Sequence, residues 1–346
     1  MNWKYIIKRL LLTVIVYVIL VFIYSVLFNS VLERTIRVQI QEKIQAEIMA
    51  MTDMPSDQVR NYREQRMKQE YDRYELDKPV LQRILNRTKR TLTFDFGNAT
   101  HMRSKTGEQN AWTIVKETIP RTVILFSTAT IINLIIGIMV GIKKAQKAGG
   151  ALDKATSIGT MIVFGMPAWW LGMLLIMFFG YTIKIFPPGG IQSTPPFDGF
   201  RAFLDQGYHM VLPVITLVIL GFWGTSFLTR NVVLGTLQED FVMSARARGI
   251  PERAVLYGHT LRTAAPPITT MAVMSLVNSI FGNIVFEGIF SWPGMGNLYF
   301  TAVQQQDVPV QITLLAILTG MQLLALAILD IVYGFLDPRI KVGGRR

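Results

Sequence analysis

Six apolar runs constrain this chain more than any other feature. Ile6 to Phe28, Ile119 to Ile142, Ser157 to Tyr181, Val211 to Leu228, Ile268 to Phe290 and Val310 to Phe335 approach or exceed the ~20 residues a helix needs to cross ~30 Å of hydrocarbon. No segment shows the period-two alternation with aromatic girdles of a membrane barrel. The expected fold is therefore an all-α integral membrane protein with six transmembrane helices.

An even number of spans places both termini on one side, and the basic residues say which. Lys4, Lys8 and Arg9 precede the first run, and Lys143, Lys144, Lys147 and Lys154 follow the second. Arg230, Arg246, Arg248, Arg253 and Arg262 follow the fourth, and Arg339, Lys341, Arg345 and Arg346 end the chain. The opposite side holds Lys184 and Arg201 in one loop and no basic residue between Ser291 and Pro309. Lys and Arg beside spans are retained in the cytoplasm, so both termini are expected there. The formal charge of +12 is largely this topological signal, and nucleic acid is not an expected partner. The first run is too long for a signal-peptide core and no small-residue cleavage site follows Phe28, so it reads as a permanent anchor. The absence of cysteine excludes disulfides, thiolate metal sites and a cysteine nucleophile.

Three regions follow: the N-terminus with its first span (1–28), a polar extracytoplasmic insertion (29–110), and a five-helix core (111–346) with a cytoplasmic loop at 230–265. Within the insertion, Val31 to Tyr74 carries Glu, Gln, Arg and Lys around spaced Ile, Val and Met, a pattern for helix serving as a solvated spacer. Turn residues punctuate Leu76 to Asn98, which is expected to pack on the outer face.

The loop at 230–265 is unusually structured. Thr236 and Glu239 have capping-box spacing, Asp240 adds negative charge to the first turn, and Arg246 and Arg248 add positive charge to the last. That predicts a short helix from Leu237 to Arg248, with Leu237, Phe241 and Ala245 as its apolar stripe. Gly249 is suited to the left-handed residue that ends it, and Pro251 to the first turn of a second helix running to about Arg262.

A helix, a glycine and a second helix in the penultimate cytoplasmic loop resemble the EAA coupling loop of ATP-binding-cassette (ABC) importer permeases, whose pattern is E-A-A-x-x-x-G-x9-I-x-L-P. Alignment on Gly249 puts Met243, Ser244 and Ala245 at the E-A-A positions and His259, Thr260, Leu261 and Arg262 at I-x-L-P, so only part of the pattern fits. The version here, Ala245-Arg246-Ala247-Arg248-Gly249, is similar to the peptide/nickel subfamily and its first permease subunit. The segments Leu76-Asp77-Lys78-Pro79, Asp95-Phe96-Gly97, Gly165 to Gly172, Phe186 to Gly190, Phe286 to Gly296 and Leu336-Asp337-Pro338-Arg339 also fall where that family has similar ones. Residues 29–74 depart from it.

The resemblance implies the type I importer permease fold and a non-catalytic subunit. The implied partners are a second homologous permease, two cytoplasmic ATPase subunits, an extracytoplasmic solute-binding protein and the lipid bilayer. It implies no cofactor in this chain, with ATP and Mg bound by the ATPases, and no G-x-x-x-x-G-K-[ST] loop occurs here. Glu239, Asp240, Phe241, Ser244, Ala245, Arg246, Ala247, Arg248 and Gly249 become the candidate ATPase-coupling residues. The expected solute is an oligopeptide or dipeptide, with nickel chelates, opines and oligosaccharides open as alternatives.

On the fifth run, Ser275, Ser279, Asn283 and Glu287 recur every four residues beside Asn278, a polar stripe that avoids lipid by facing protein or a water-filled path. These five are the candidate translocation residues, helix packing being the other reading. Gly137 and Gly141 form a packing pair, and Pro167 is expected to kink the third span. Pro187, Pro188, Trp292 and Pro293 lie in turns placed to receive a binding protein or to cap helices at the headgroups. No GxSxG, HExxH or carboxylate pair supports an enzyme; a channel or an ion-coupled transporter is the rival class.

Overall fold

The computed structural model describes residues 3–51 and 55–336. The segment after Leu336, with Asp337, Pro338 and all four C-terminal basic residues, lies outside the described residues. Among the described residues there is no strand, only an isolated bridge between Asn98 and Asn110. The helices in chain order are α1 (Trp3–Leu27), α2 (Asn29–Met49), α3 (Ser56–Arg73), α4 (Val80–Leu92), α5 (Ala111–Lys116), α6 (Ile119–Gln146), α7 (Ala151–Phe164) and α8 (Ala168–Leu175). They continue with α9 (Gly199–Leu237), α10 (Asp240–Ala247), α11 (Glu252–Ala254), α12 (Leu261–Asn278), α13 (Ile284–Ile289), α14 (Met295–Gln304) and α15 (Val308–Leu336).

Among the described residues, five helical stretches are long and apolar enough to cross a membrane: Ile6–Leu27, Ala111–Gln146, Gly199–Leu237, Glu252–Phe281 and Val308–Asp330. The expected third span is two helices, Ala151–Phe164 and Ala168–Thr182, bent by 100°. That exceeds the kink expected of Pro167. Pro167 has extended backbone (φ −65°, ψ 135°), and a proline disfavours helix in the residue before it, so the helix stops at Gly165 and restarts after the proline. Counting the bent pair as one span gives six.

The fifth span also departs from its expected limits. Its helix begins in the loop at Glu252, passes through a π-type turn at Val255–Thr260 and Pro266–Pro267, and stops at Phe281. The expected boundaries, a separate loop helix ending near Arg262 and a span reaching Phe290, are both corrected. The prolines remove the N–H groups that would bond the carbonyls of Arg262 and Thr263, two exposed residues, and the helix runs on through them.

The chain forms two compact units, one built on Thr118–Phe300, the other on Ile7–Glu117 with Thr301–Leu324. In the first, α6 and α9 pack along their length with Gly137 and Gly141 against Thr225 and Thr229; a Cβ on either glycine would stand 2.5–2.6 Å from a threonine Cβ. The expected packing role of this pair is met. Two apolar cores flank it. Leu125, Phe126, Leu212, Phe286, Phe290 and Trp292 form one, and Val233, Leu237, Val242, Ala245, Val255 and Leu256 the other.

In the second unit, the helix expected over Val31 to Tyr74 is present as α2 and α3, which pack antiparallel with Ile40, Ile44 and Leu76 between them. Ion pairs run along its seam: Arg66 to Glu47 at 2.8 Å and Lys43 to Glu70 at 2.6 Å, while Glu33 takes Arg37 at 2.9 Å and Arg83 at 3.0 Å. Asp307 accepts hydrogen bonds from the backbone N–H of His101 (2.8 Å) and Met102 (3.1 Å), and the Tyr24 hydroxyl meets Thr319 Oγ1 at 2.9 Å.

The Arg66 guanidinium, followed by the Tyr62 hydroxyl, holds the Glu47 carboxyl at about 2, well below its ordinary 4.5. A depressed carboxylate contributes stability that is complete above 4.5 and is lost as pH falls from there toward about 2. Amide exchange in α2–α3, corrected for intrinsic rates, is therefore expected to accelerate between pH 5 and pH 2.5 (about that range). The Glu47→Gln protein should show a smaller acceleration over the same range.

Candidate functional site

The loop predicted to couple is built from α9, α10 and the start of the 252–281 helix. Only Gln238 and Glu239 separate α9 from α10. Glu239 is the N-cap residue of α10 in extended conformation, but its side chain makes no cap hydrogen bond. Thr236 lies inside α9 and its Oγ1 donates to Val232 O at 3.0 Å. The capping box is thus overturned: helix continued past the threonine, so its hydroxyl satisfied itself on the preceding turn. The helix starts at Asp240, not Leu237.

Its end is as expected. Gly249 is left-handed (φ 76°), its N–H donates to Arg246 O at 2.9 Å, and the Ile250 N–H donates to Ala245 O at 3.3 Å. These two bonds are the Schellman pattern, which satisfies the last carbonyls of α10 and turns the chain sharply. Pro251 then precedes α11 as its N-cap. Arg246 Nε and Nη2 reach Glu252 at 2.6 and 3.2 Å, clamping the two helices from outside.

One face of α10 is sealed and the other bare. Val242 and Ala245 are buried against Leu237, Val255 and Leu256. Phe241 was expected in that stripe but is 41% exposed, beside Met243 at 56% and Tyr257 at 58%. The buried face is set by Val242 and Ala245 at three-residue spacing, and Phe241 points elsewhere. Of the candidate coupling residues, Ala245 is interior, whereas Glu239, Asp240, Phe241, Ser244, Arg246, Ala247, Arg248 and Gly249 are exposed.

The polar stripe on the fifth run is not continuous. Gly282 (φ 69°) breaks the helix, and Asn283 is extended and caps α13 by accepting from Phe286 N at 2.9 Å. Ser275, Asn278 and Ser279 therefore belong to one helical segment, Asn283 and Glu287 to the next. Ser279 is buried, with its Oγ 3.0 Å from Ser127 Oγ on α6, while Ser275 is half-buried and Asn278 exposed. A four-residue repeat read as one face requires unbroken helix, which glycine at this position does not sustain.

Glu287 is fully buried and does not line an open surface in this chain. Its Oε2 accepts from the N–H groups of Gly296 (2.8 Å) and Asn297 (3.1 Å) at the start of α14, and its Oε1 from Thr122 Oγ1 at 2.9 Å. Thr122 Oγ1 in turn accepts from Met295 N at 2.8 Å. A carboxylate at a helix N-terminus meets free N–H groups and the positive end of the helix dipole. Thr122 was missed in the sequence, because nothing local marks a threonine 165 residues away as the partner of Glu287.

Trp292 is also fully buried, with Nε1 donating to Arg121 O at 3.1 Å, so it is a core anchor and not the binding-protein contact expected of it. Arg121 Nη1 returns a bond to Pro293 O at 3.1 Å. The turn holding Pro187 and Pro188 lies alongside: Gly190 N donates to Phe290 O at 2.9 Å. Asp205 on α9 secures the following strand of loop by accepting from Ser193 N (2.7 Å) and Oγ (2.6 Å). Pro188 is exposed, and Pro187 and Pro293 are half-buried.

Comparison with known proteins places these features. Residues 111–342 match the family described as binding-protein-dependent transport system inner membrane component. The chain is 32% identical over 228 residues to the oligopeptide transport system permease protein AppB of Bacillus subtilis (strain 168), covering 66% of this chain and 71% of that one. It is 32% identical over 279 residues to the inner membrane ABC transporter permease protein YejB of Escherichia coli O157:H7 (79% and 75% covered). To the dipeptide transport system permease protein DppB of E. coli (strain K12) it is 31% identical over 288 residues (77% and 82% covered).

Two outcomes follow from the geometry. Glu287→Ala strips acceptors from two backbone N–H groups and the Thr122 hydroxyl and is expected to cost about 3 kcal/mol, read as a lower thermal midpoint of the purified protein. A Cβ at Gly249 meets nothing within 4 Å, so Gly249→Val is penalised by backbone alone, about 1–2 kcal/mol, and should make the 240–260 loop more protease-sensitive than Gly249→Asn does.

Proposed function

The chain belongs to the family of binding-protein-dependent transport system inner membrane components, as a multi-pass permease subunit of an ABC transporter, and on that premise we propose that it imports oligopeptides or dipeptides. The peptide assignment rests on the names of AppB and DppB. The full transporter is proposed to contain a second permease, two ATPase subunits and an extracytoplasmic solute-binding protein. ATP and Mg bind the ATPases, and this chain is not itself an enzyme.

Both termini and the 230–265 loop lie in the cytoplasm in this reading, and 29–110 lies outside, as the basic flanks require. The observation that carries the mechanism is the two-faced α10. Its inner face is locked to α9 and to the 252–281 helix, while Phe241 and Met243 are presented outward. Apolar side chains on a water-facing helix are a surface for another protein, and here that protein is an ATPase. When the ATPases close on ATP, α10 moves with them, and the helices at either end of the loop carry the displacement into the membrane. A rigid contact is needed because a mobile loop would absorb the motion.

Solute passes along a path between the two permeases to which Ser275 and Asn278 contribute from α12 and Asn283 from the break beyond it. Ser279 and Glu287 support that path from behind. Pro187, Pro188 and Pro293 sit in the adjoining outer turns that meet the binding protein.

Expression with the neighbouring genes, purification in mild detergent and intact-mass analysis test this reading. Two ATPases and one different permease are expected; a homo-oligomer lacking ATPases overturns it in favour of a channel or secondary transporter. Phe241→Ala removes about 2 kcal/mol of buried apolar contact from the proposed interface, and should weaken ATPase association about 30-fold without lowering the amount of inserted permease.

A further inference from the structure

Lys144, Asp153 and Arg230 form a buried ionic cluster that neither the sequence reading nor the coupling loop accounts for. Asp153 lies in the first turn of α7, Lys144 in the last turn of α6, and Arg230 two turns before the end of α9. Asp153 Oδ2 accepts from Arg230 Nη2 at 2.8 Å and from Gly149 N at 3.0 Å. Its other oxygen, Oδ1, is buried without a hydrogen-bond partner, and it is this oxygen that faces Lys144 Nζ at 4.0 Å. Lys144 is fully buried and its ammonium likewise has no hydrogen-bond partner.

Two cations thus compete for one carboxylate, and only one of them holds it. A buried ammonium left at 4.0 Å from its counter-ion is unfavourable, because in a low-dielectric interior a charge needs both an opposite charge and hydrogen bonds. An approach of about 1 Å would turn the Lys144 contact into a charge-assisted hydrogen bond of the usual ~2.8 Å. Arg230 is the partner able to let go, since its side chain is 24% exposed and can be solvated, whereas Lys144 cannot.

The surrounding helices permit such a movement of α7. Its N-terminal side is Gly149-Gly150, Gly149 being left-handed (φ 76°), and its C-terminal side is the 100° bend before α8. Lys144 and Arg230 ride on the interlocked α6–α9 pair, where Gly137 and Gly141 leave no room for sliding. Gly159 of α7 sits against the Trp223 ring of α9. Asp153 is six residues from Gly159, about 9 Å along the helix, so a rotation of about 6° about that contact moves the carboxylate by ~1 Å.

We propose that Asp153 exchanges cations during transport, from Arg230 in the arrangement seen here to Lys144 in the opposite one, giving α7 two docked positions on the α6–α9 frame. This rests on the chain being an ATP-driven permease. Asp153, Lys144 and Arg230 are then positioning residues for the conformational step, and their paired arrangement reports which way the permease faces.

The test uses the full transporter and the absence of cysteine from this chain, on which labelling is read. Leu152 is exposed and adjoins Asp153, so Leu152→Cys serves as a maleimide reporter of the position of α7. In the otherwise unaltered transporter, the labelling rate should differ between the nucleotide-free and vanadate-trapped states. Lys144→Met keeps every hydrogen bond seen here and removes the alternative partner. It should leave the thermal midpoint unchanged or raised, lower uptake at least tenfold, and hold the labelling rate at one of the two unaltered values in both states. Arg230→Gln should hold it at the other.

A static cluster predicts the reverse for lysine, a harmless Lys144→Met with normal uptake, and that result overturns the exchange. So does a labelling rate equal in both states when trapped ADP is present, an outcome that leaves the transporter assignment standing. A preparation that carries no ATPases and takes up solute without ATP overturns both.

Discussion

A carboxylate buried away from water must be satisfied by protein, and the way Glu287 meets this demand organises the end of the Thr118–Phe300 unit that holds α13. Its two oxygens collect the first N–H groups of α14 and the Thr122 hydroxyl, so α6, α13 and α14 are tied at one point. The tie requires close backbone. A Cβ on Gly282 or Gly294 would collide with the carboxylate and with Thr122, which explains a glycine on each side of α13 and its turn. Once α13 is held, Phe286 and Phe290 are directed into the core against Phe126, and Trp292 closes it by bonding to Arg121 O. The turn with Pro187 and Pro188 leans on the same segment through Phe290 O, so the surface there inherits its shape from a carboxylate it does not display.

The opposite end is organised by apolar contact. Val242 and Ala245 on α10 meet Val233 and Leu237 from α9 and Val255 and Leu256 from the 252–281 helix. Burial of each such side chain contributes about 1–3 kcal/mol, far more than the exposed Arg246–Glu252 pair, which is worth at most ~1 kcal/mol. The charged residues that make this loop conspicuous in the sequence are thus the minor part of its rigidity. Their larger role is to keep the exposed face of the loop soluble around Phe241 and Met243.

Hydropathy was the most legible feature because lipid leaves the backbone few options: an apolar run of membrane length is expected to be helix, and four of the six runs are unbroken helix while the third and fifth are helix interrupted at Pro167 and at Gly282. Gly249 was legible because a left-handed residue after a short helix has a specific chemical signature. Two other readings failed for one shared reason, that local spacing was taken as proof of one unbroken helix. The Thr236–Glu239 capping box needed a helix start where α9 was still running. The four-residue stripe needed helix across Gly282. Glu287 and Thr122, or Lys144, Asp153 and Arg230, meet only in three dimensions, and no spacing rule connects them. Trp292 failed differently: an aromatic in a Pro-Gly turn reads as interfacial, yet a turn folded back onto the bundle buries it.

These two ends need a stiff connection if movement at α10 is to reach the turns at the opposite end of α9, and α9 with α6 supplies it. α9 has 39 residues, about 58 Å of helix, and spans from the loop that bonds Asp205 to the threshold of α10. Glycine on α6 against threonine on α9 brings two backbones close enough that neither helix can slip by a turn without lifting over a side chain. The partner element is the opposite in kind. α7 and α8 are bent by 100° and joined through Gly165, Met166 and Pro167, with further glycines before α7. One long interlocked pair beside one broken pair is the division a lever needs: a member that transmits displacement without deforming, next to a member that can change its docking while each of its halves stays helical.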